Sequence, residues 1–147
     1  MTEKSVAIII IRNSKGQYFL NKRLSTKKIF PSLYALGAGG KIDPGETPEN
    51  AAKRELFEET KIQEPIRYLG EFLYSDSSVT QRVYSYAVVT EQEISNYDRE
   101  WEWSGWVNED QVLELLDSKS ICPDTEVAFS LLISATTNKS LTLKQSF

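Results

Sequence analysis

The chain has 147 residues, of which 40% are hydrophobic and 26% are charged, and its formal net charge at pH 7 is −4. This length and composition are typical of a soluble globular protein, and we expect residues 1–147 to form a single domain. No apolar run in the sequence approaches the roughly 18 residues of a membrane-spanning helix, so we expect no membrane partner. The acidic balance argues against an extended contact with a nucleic-acid polymer.

The first residues lack the pattern of a cleaved secretory signal, because Glu3 precedes a short apolar run that ends at Arg12. We therefore expect a cytoplasmic protein, either a monomer or a homodimer. Cys122 is the only cysteine and the chain has no histidine. An internal disulfide and a Cys/His nucleophile are thus excluded, and we interpret Cys122 as a small packing residue.

Five segments have the composition of β-strands, and the first is an unbroken β-branched run that predicts a strand covered on both faces. Four of the seven glycines lie between residues 37 and 45. This clustering predicts a permissive loop that can approach a ligand closely. The predicted strands are residues 6–11, 17–23, 33–36, 66–74 and 79–89, with a hairpin turn at residues 75–78.

Three helices are predicted, each with a recognisable start. Thr47 and Pro48 begin a helix that extends to about Thr60. Residues 108–118 open with the spacing of a capping box, and a third helix starts at Pro123. Its apolar stripe is predicted to consist of Val127, Leu131 and Leu132. Mixed strands and helices predict an α/β protein with helices on both faces of one sheet.

Three tryptophans lie close together at residues 101, 103 and 106, with Glu100 and Glu102 interleaved. One interpretation is a strand whose indoles pack into the core. The other is an indole that stacks on a planar group of a ligand, with a nearby glutamate joining a metal site. We expect a mixture of the two.

The first helix carries glutamates at positions 55, 58 and 59, which share one face at i, i+3 and i+4 spacing. These carboxylates repel one another, and Glu58 and Glu59 also lie at the negative end of the helix dipole. A bound Mg²⁺ or Mn²⁺ ion would reverse both penalties, since these ions prefer oxygen ligands. A solvated acidic face neutralised by neighbouring lysine and arginine side chains is the alternative.

Residues 40–62 resemble the Nudix box, G-x5-E-x7-R-E-U-x-E-E-x-G-U, in which U is a bulky aliphatic residue. One position departs from this pattern, because Lys61 stands where the family has glycine. The matching residues are Gly40, Glu46, Arg54, Glu55, Leu56, Glu58, Glu59 and Ile62.

The resemblance implies an α/β/α sandwich with a mixed β-sheet and hydrolysis of a nucleoside diphosphate linked to another moiety, by Mg²⁺-assisted attack of water on phosphorus. It implies that Glu55, Glu58 and Glu59, with the carbonyl of Gly39, bind the metal. Arg54 would orient Glu55.

The general base varies within the family, so it remains open between the box, where Glu55 and Glu58 are candidates, and a later loop with Glu100 or Glu102.

Substrate contacts are less well defined by the sequence. By their position relative to the box, Arg23 and Lys41 are candidate phosphate contacts, and each is equally well explained as a surface residue. Phe30, Tyr34 and Trp101 are candidates for the pocket lining. The additional motifs that distinguish NADH, ADP-ribose and coenzyme A hydrolases in this family are absent. A small phosphorylated substrate is therefore predicted without its identity, and a non-catalytic nucleotide sensor of the same fold is the main alternative.

Overall fold

The computed structural model describes the backbone of residues 4–95 and 101–145, and in the last helix it describes side chains as far as residue 136. The elements in chain order are β1 (Lys4–Arg12), β2 (Tyr18–Arg23), β3 (Tyr34–Ala35), β4 (Gly37–Lys41), α1 (Pro48–Thr60), β5 (Arg67–Ser75), β6 (Thr80–Val89), β7 (Trp101–Val107), α2 (Glu109–Asp117) and α3 (Pro123–Gln145).

All seven described strands belong to one mixed sheet. Its main order is β3-β2-β1-β6-β5, while β4 pairs with β1 and β7 pairs with β2. Strands β1 and β6 are parallel, and the other pairs are antiparallel. The predicted hairpin is confirmed, since β5 and β6 pair from Ser75 and Thr80 onwards. Its turn is held by Asp76, whose Oδ1 accepts the N–H groups of Ser78 and Val79.

Helices cover both faces of the sheet, as the sequence predicted. Alternate residues of β1 enter two separate cores: Ala7, Ile9 and Ile11 face α1, whereas Ile10 faces α2 and α3. This explains why the β1 sequence is apolar without alternation, because both of its faces are buried. The structure is thus an α/β/α arrangement around a mixed sheet.

The glycine-rich segment was predicted as a loop, and this prediction is wrong for residues 37–41, which form β4. The strand pairs along β1, with Gly39 opposite Ile8. A Cβ atom at Gly39 would lie 2.8 Å from the carbonyl oxygen of Ala7, so the missing side chain permits this close pairing. Low strand propensity is overridden here by tertiary contacts.

The buried stripe of α3 was also predicted incorrectly in part. Val127 is 37% exposed, whereas Ala128, Phe129 and Leu132 are buried against the sheet. Phe129 packs edge-to-face on Tyr18, with ring centroids 5.5 Å apart. This aromatic contact lies on the buried face of α3, and Val127 lies outside that face.

None of the helices in the described part of the chain is long and apolar enough to cross a membrane.

Candidate functional site

Helix α1 begins and ends as local sequence signals require. The Thr47 side chain accepts the Asn50 N–H at 3.1 Å, and Pro48 occupies the first turn. At the other end Lys61 adopts the left-handed conformation, with φ of 66°, and its N–H donates to the Phe57 carbonyl at 2.9 Å. The helix therefore ends at the position where the Nudix pattern has glycine, with lysine in a conformation that ordinarily favours glycine.

Arg54 ties the helix to the loop that precedes it. Its Nε and Nη2 donate to the two carboxylate oxygens of Glu46 at 2.8 and 2.9 Å, and Nη2 also donates to the Lys41 carbonyl at 3.1 Å. The remaining nitrogen, Nη1, donates to Glu55 Oε1 at 2.9 Å. This planar, multidentate arrangement orients Glu55 from one side.

Electrostatics reinforce the Arg54 pairing. Hydrogen bonding to Arg54 lowers the pKa of Glu46 to about 2, with a further contribution from the Asp43 N–H, which donates to Glu46 Oε1 at 3.0 Å. The pKa of Arg54 is in turn raised by its hydrogen bond to Glu46. Both groups therefore remain charged throughout the physiological pH range.

Glu55 lies in a much more enclosed environment than Glu58, since their side chains are 16% and 54% exposed. Burial raises its pKa, although Arg54 acts in the opposite direction. The carboxyl group packs so closely on Gly40 that any Cβ atom there would overlap it. Glycine at position 40 is thus required by the close approach of Glu55, and positive φ plays no part.

Glu58 and Glu59 point to different partners. Glu58 is largely exposed, with Oε2 at 3.4 Å from Arg54 Nη1. Glu59 accepts the Gly39 N–H at 3.1 Å and lines a cleft beside β4. The first helix therefore presents one carboxylate to solvent and one to the cleft wall.

The cleft has a volume of about 180 Å³ and runs past the end of β4 to the start of α3. It collects six of the residues that the sequence or the resemblance put forward as metal or substrate contacts. Arg23 is oriented within it by a hydrogen bond from Nε to the Ile29 carbonyl at 3.1 Å. The six residues are Arg23, Phe30, Gly39, Lys41, Glu59 and Trp101.

Trp101 belongs to the core and also borders the cleft, while its stacking on a ligand remains a prediction. Its indole is buried and meets Phe19 edge-to-face, with ring centroids 5.4 Å apart, yet it also lines the cleft. Trp106 packs on the same Phe19 ring at 5.6 Å, whereas Trp103 is 47% exposed.

Two candidates lie elsewhere, and a third falls outside the described residues. Tyr34 lines a separate groove together with Trp103, and the centroid of the Tyr34 ring lies 5.7 Å from Lys22 Nζ. Glu102 is exposed and forms an ion pair with Lys22 at 3.8 Å. Glu100 lies outside the part of the chain that the structure describes.

The arrangement of oxygen donors around α1 and β4 bears on metal binding. Across residues 4–95 and 101–136, no three acidic, cysteine or histidine side chains are gathered closely enough to hold a metal ion. The donor chemistry nevertheless fits a hard divalent cation, because the box supplies carboxylate oxygens next to a backbone carbonyl. Both Glu55 and Glu59 lie against β4. The Glu55 carboxyl packs on Gly40, which has no side chain, and Glu59 accepts the Gly39 N–H.

Sequence reasoning missed four buried polar residues of the cleft, among them Gln81 and Asp124; the other two are Asn21 and Thr125. Gln81 lies at the start of β6, and Asp124 lies in the first turn of α3. No spacing in the sequence indicates that these distant positions share a cavity, since that depends on strand register and on where α3 docks.

The chain is similar to known proteins in a family model, in relatives of related sequence and in solved structures. A family model described as the NUDIX domain matches residues 1–122. An 8-oxo-dGTP diphosphatase of Haemophilus influenzae is 53% identical over 57 residues, which are 39% of this chain and 40% of that protein. A nucleoside triphosphatase, NudI, of Enterobacter sp. is 35% identical over 94 residues, covering 64% of this chain and 63% of that protein.

Among solved structures, the MutT protein of Methanosarcina mazei superimposes with a TM-score of 0.75 at 19% identity, covering 93% of this chain and 96% of that one. At this identity the likeness concerns the fold, which is the α/β/α arrangement described above. The family match is independent of it and extends over most of the chain. Together with the order of the box residues within positions 40–62, it shows that this protein belongs to the NUDIX family of pyrophosphohydrolases.

Proposed function

We propose that this protein hydrolyses a pyrophosphate linkage in a small nucleotide, with water as the nucleophile and Mg²⁺ or Mn²⁺ as the cofactor. The observation that carries the proposal is the placement of Glu55. Arg54 holds its Oε1, and Gly40 gives it space against β4. A carboxylate that is fixed on one side and enclosed on the other is suited to bind a cation or accept a proton.

The metal ligands in this proposal are Glu55, Glu58 and Glu59, with the carbonyl of Gly39. A bound cation would neutralise phosphate charge and lower the pKa of a bound water molecule. The half-buried Glu55 has a raised pKa, which makes it a better proton acceptor near neutral pH than an exposed glutamate. Because Arg54 holds Oε1, Oε2 is the atom that would either bind the cation or accept the proton.

Glu55 is preferred to Glu102 as the general base on positional grounds. Glu102 is exposed, pairs with Lys22 and does not line the cleft. Arg54 is a positioning residue, since its contacts are to glutamates and to the Lys41 carbonyl.

Substrate binding is proposed for the cleft beside Glu59. Arg23 and Lys41 supply positive charge for phosphate oxygens, and Phe30 and Trp101 supply aromatic surface. A nucleotide is favoured as the substrate because the similar enzymes from Haemophilus influenzae and Enterobacter are named for 8-oxo-dGTP and nucleoside triphosphates. Tyr34 lines the other groove and is left out of this binding site.

The test is release of phosphate or pyrophosphate, measured with Mg²⁺ and a coupled phosphatase on a panel of nucleoside triphosphates, oxidised nucleotides, dinucleotides and nucleotide sugars. We expect turnover of one compound far above the others. Glu102→Gln should retain most of that turnover, whereas Glu55→Gln should lose it. Absence of turnover across the panel, with nucleotide bound normally, would favour a ligand-sensing role instead.

A further inference from the structure

The last turn of α1 is an unfavourable place for the two carboxylates that it carries. Glu58 and Glu59 lie where the helix dipole presents its negative end, and that turn contains no basic residue. The helix then ends at Lys61 in the left-handed conformation, which ordinarily favours glycine. A helix end of this kind tends to fray, so we searched the rest of the chain for contacts that hold it.

Thr60 is the last residue of α1, and it is completely buried. Its hydroxyl donates to the Leu56 carbonyl at 2.6 Å and accepts the Ile62 N–H at 3.2 Å. The side chain of Thr60 is therefore used locally, within the helix end. Its backbone carbonyl is one of the last four of the helix, which have no partner inside the helix itself.

Gln92, in the segment after β6, supplies the partner for that carbonyl. Its Nε2 donates to the Thr60 carbonyl at 2.9 Å, although the two residues are 32 positions apart in the chain. The carbonyls at a helix C-terminus carry the negative end of the dipole, so an N–H donor placed there offsets part of the unfavourable charge around Glu58 and Glu59. The bond thus stabilises the turn that carries two of the proposed metal ligands.

Gln92 is itself held firmly by its neighbours. Its backbone N–H donates to Thr90 Oγ1 at 3.0 Å, and the same hydroxyl donates to Glu64 Oε1 at 2.8 Å. Thr90 is 1% exposed, and its N–H donates to the Arg12 carbonyl at the end of β1 at 2.9 Å. The segment is therefore anchored to the sheet, and Gln92 can hold α1 against that anchor.

The residues on either side of Gln92 serve other contacts. Glu91 Oε1 accepts the Ser14 N–H at 2.7 Å, in the turn between β1 and β2. Ile94 packs against the apolar core under α1. Within this segment, Gln92 is thus the residue that joins the sheet to the end of α1 by a hydrogen bond.

We propose that Gln92 is a positioning residue for the metal site. Its hydrogen bond to the Thr60 carbonyl holds the last turn of α1, and with it Glu58 and Glu59, in the arrangement that binds a divalent cation. This inference rests on the proposed function, since it takes these glutamates as metal ligands. Gln92 acts through the helix backbone and touches neither the cation nor the substrate.

The experiment measures Mn²⁺ binding without substrate, from the EPR signal of free Mn²⁺. Gln92→Met removes the amide and nearly keeps the length of the side chain, and we expect it to weaken Mn²⁺ binding by about tenfold, as loss of a group that orients metal ligands does. Gln92→Asn keeps an amide that is one methylene too short to reach Thr60, so it should show the same loss.

Gln63→Met is the matched control. Gln63 also follows α1, but it is exposed and its side chain makes no hydrogen bond within the described residues. This variant should bind Mn²⁺ as the wild type does. Equal losses in Gln63→Met and Gln92→Met, or wild-type affinity in both Gln92 variants, would overturn the proposal.

Hydrogen exchange tests the structural step separately from metal binding. In metal-free Gln92→Met, the N–H groups of Lys61 and Ile62 should exchange faster, because both are bonded within the end of α1. The Ala51 N–H, bonded to the Thr47 carbonyl at the start of the helix, should exchange at the wild-type rate. Weaker Mn²⁺ binding with unchanged exchange at Lys61 and Ile62 would contradict the proposed route.

The outcome is separable from the hydrolase proposal. Raising the Mn²⁺ concentration should return turnover of Gln92→Met close to that of the wild type, because Gln92 does not touch the reacting atoms. Mn²⁺ binding that depends on Gln92, in a protein with no turnover, would support the positioning role and count against hydrolysis. Absence of Mn²⁺ binding by the wild-type protein would overturn both proposals.

Discussion

Arg54 and Glu46 form a bidentate ion pair, in which Nε and Nη2 of Arg54 donate to the two carboxylate oxygens of Glu46 at 2.8 and 2.9 Å. The pairing leaves Nη1 directed at Glu55. Glu46 therefore influences Glu55 indirectly, because it fixes the guanidinium plane of Arg54, which in turn orients Glu55, the candidate metal ligand and general base.

The first prediction concerns replacement of the planar guanidinium group of Arg54. Arg54→Lys keeps the charge but cannot bond to Glu46 and Glu55 together, so we expect kcat to fall by about 100-fold. The melting temperature should change little, since Arg54 is partly exposed. Lys53→Arg, a conservative change at the exposed neighbouring position, is the control and should leave kcat unchanged. Wild-type kcat in Arg54→Lys would contradict the positioning role.

Gly40→Ala tests the close approach of Glu55 to β4. The added methyl group would overlap the Glu55 carboxyl, so we expect a loss of about 1–3 kcal/mol in unfolding free energy together with a loss of activity. Shortening the carboxylate in Gly40→Ala/Glu55→Asp should recover stability in denaturant unfolding while activity stays low. If the single variant is as stable and active as wild type, the packing described for this pair is wrong.

Asp124→Asn has a pH-dependent effect on stability whose sign follows from burial. The folded-state pKa of about 6 lies above the ordinary value of 3.8, so the folded state binds this proton more tightly than the unfolded state. Wild-type stability from this group is therefore lost as pH rises from about 4 to about 6. Asparagine is neutral and keeps an oxygen that can accept the Thr125 N–H, as Asp124 Oδ1 does at 2.8 Å.

We accordingly expect Asp124→Asn to stabilise the protein by about 1–3 kcal/mol at pH 7 and by little at pH 4, measured by urea unfolding at both values. Asp110→Asn, a change at an exposed position in the first turn of α2, should show no such pH-dependent gain. A destabilised Asp124→Asn at pH 7 would show that the carboxylate contributes to folding.

Lys61 provides a prediction about the end of α1. Because Lys61 is in the left-handed conformation, Lys61→Gly should relieve backbone strain and stabilise the protein by about 1 kcal/mol. Lys61→Ala retains the strain and loses the contact of the ammonium with the Phe57 ring, so it should give no gain. Both variants should keep wild-type activity, and a drop in turnover for either would implicate this residue in the site.

Local signals gave reliable predictions where neighbouring residues decide the structure. Thr47 and Pro48 begin α1, and Asn108 and Gln111 form the predicted capping box, with both hydrogen bonds at 2.9 Å. The box residues around Arg54 come together because they lie on one helix and on the loop before it. Such relationships depend on spacing along the chain, which the sequence displays directly.

Predictions failed where distant segments decide the outcome. The glycines of β4 form a strand because pairing with β1 outweighs their low strand propensity. Gln81 and Asp124 meet at one cavity through strand pairing and helix docking, which leave no local pattern. The roles of Glu55, Glu58 and Glu59 as metal ligands remain predictions.

The most direct test of the central claim is the Mg²⁺ dependence of nucleotide hydrolysis by the wild-type protein and by Glu58→Gln, with folding checked by circular dichroism. We predict that EDTA abolishes turnover by the wild-type protein and that Mg²⁺ or Mn²⁺ restores it. In Glu58→Gln we predict that turnover falls by about two or more orders of magnitude while the fold is unchanged, because the exposed Glu58 contributes charge and no core volume. Turnover that is unaffected by EDTA, or equal in the two proteins, would contradict the account.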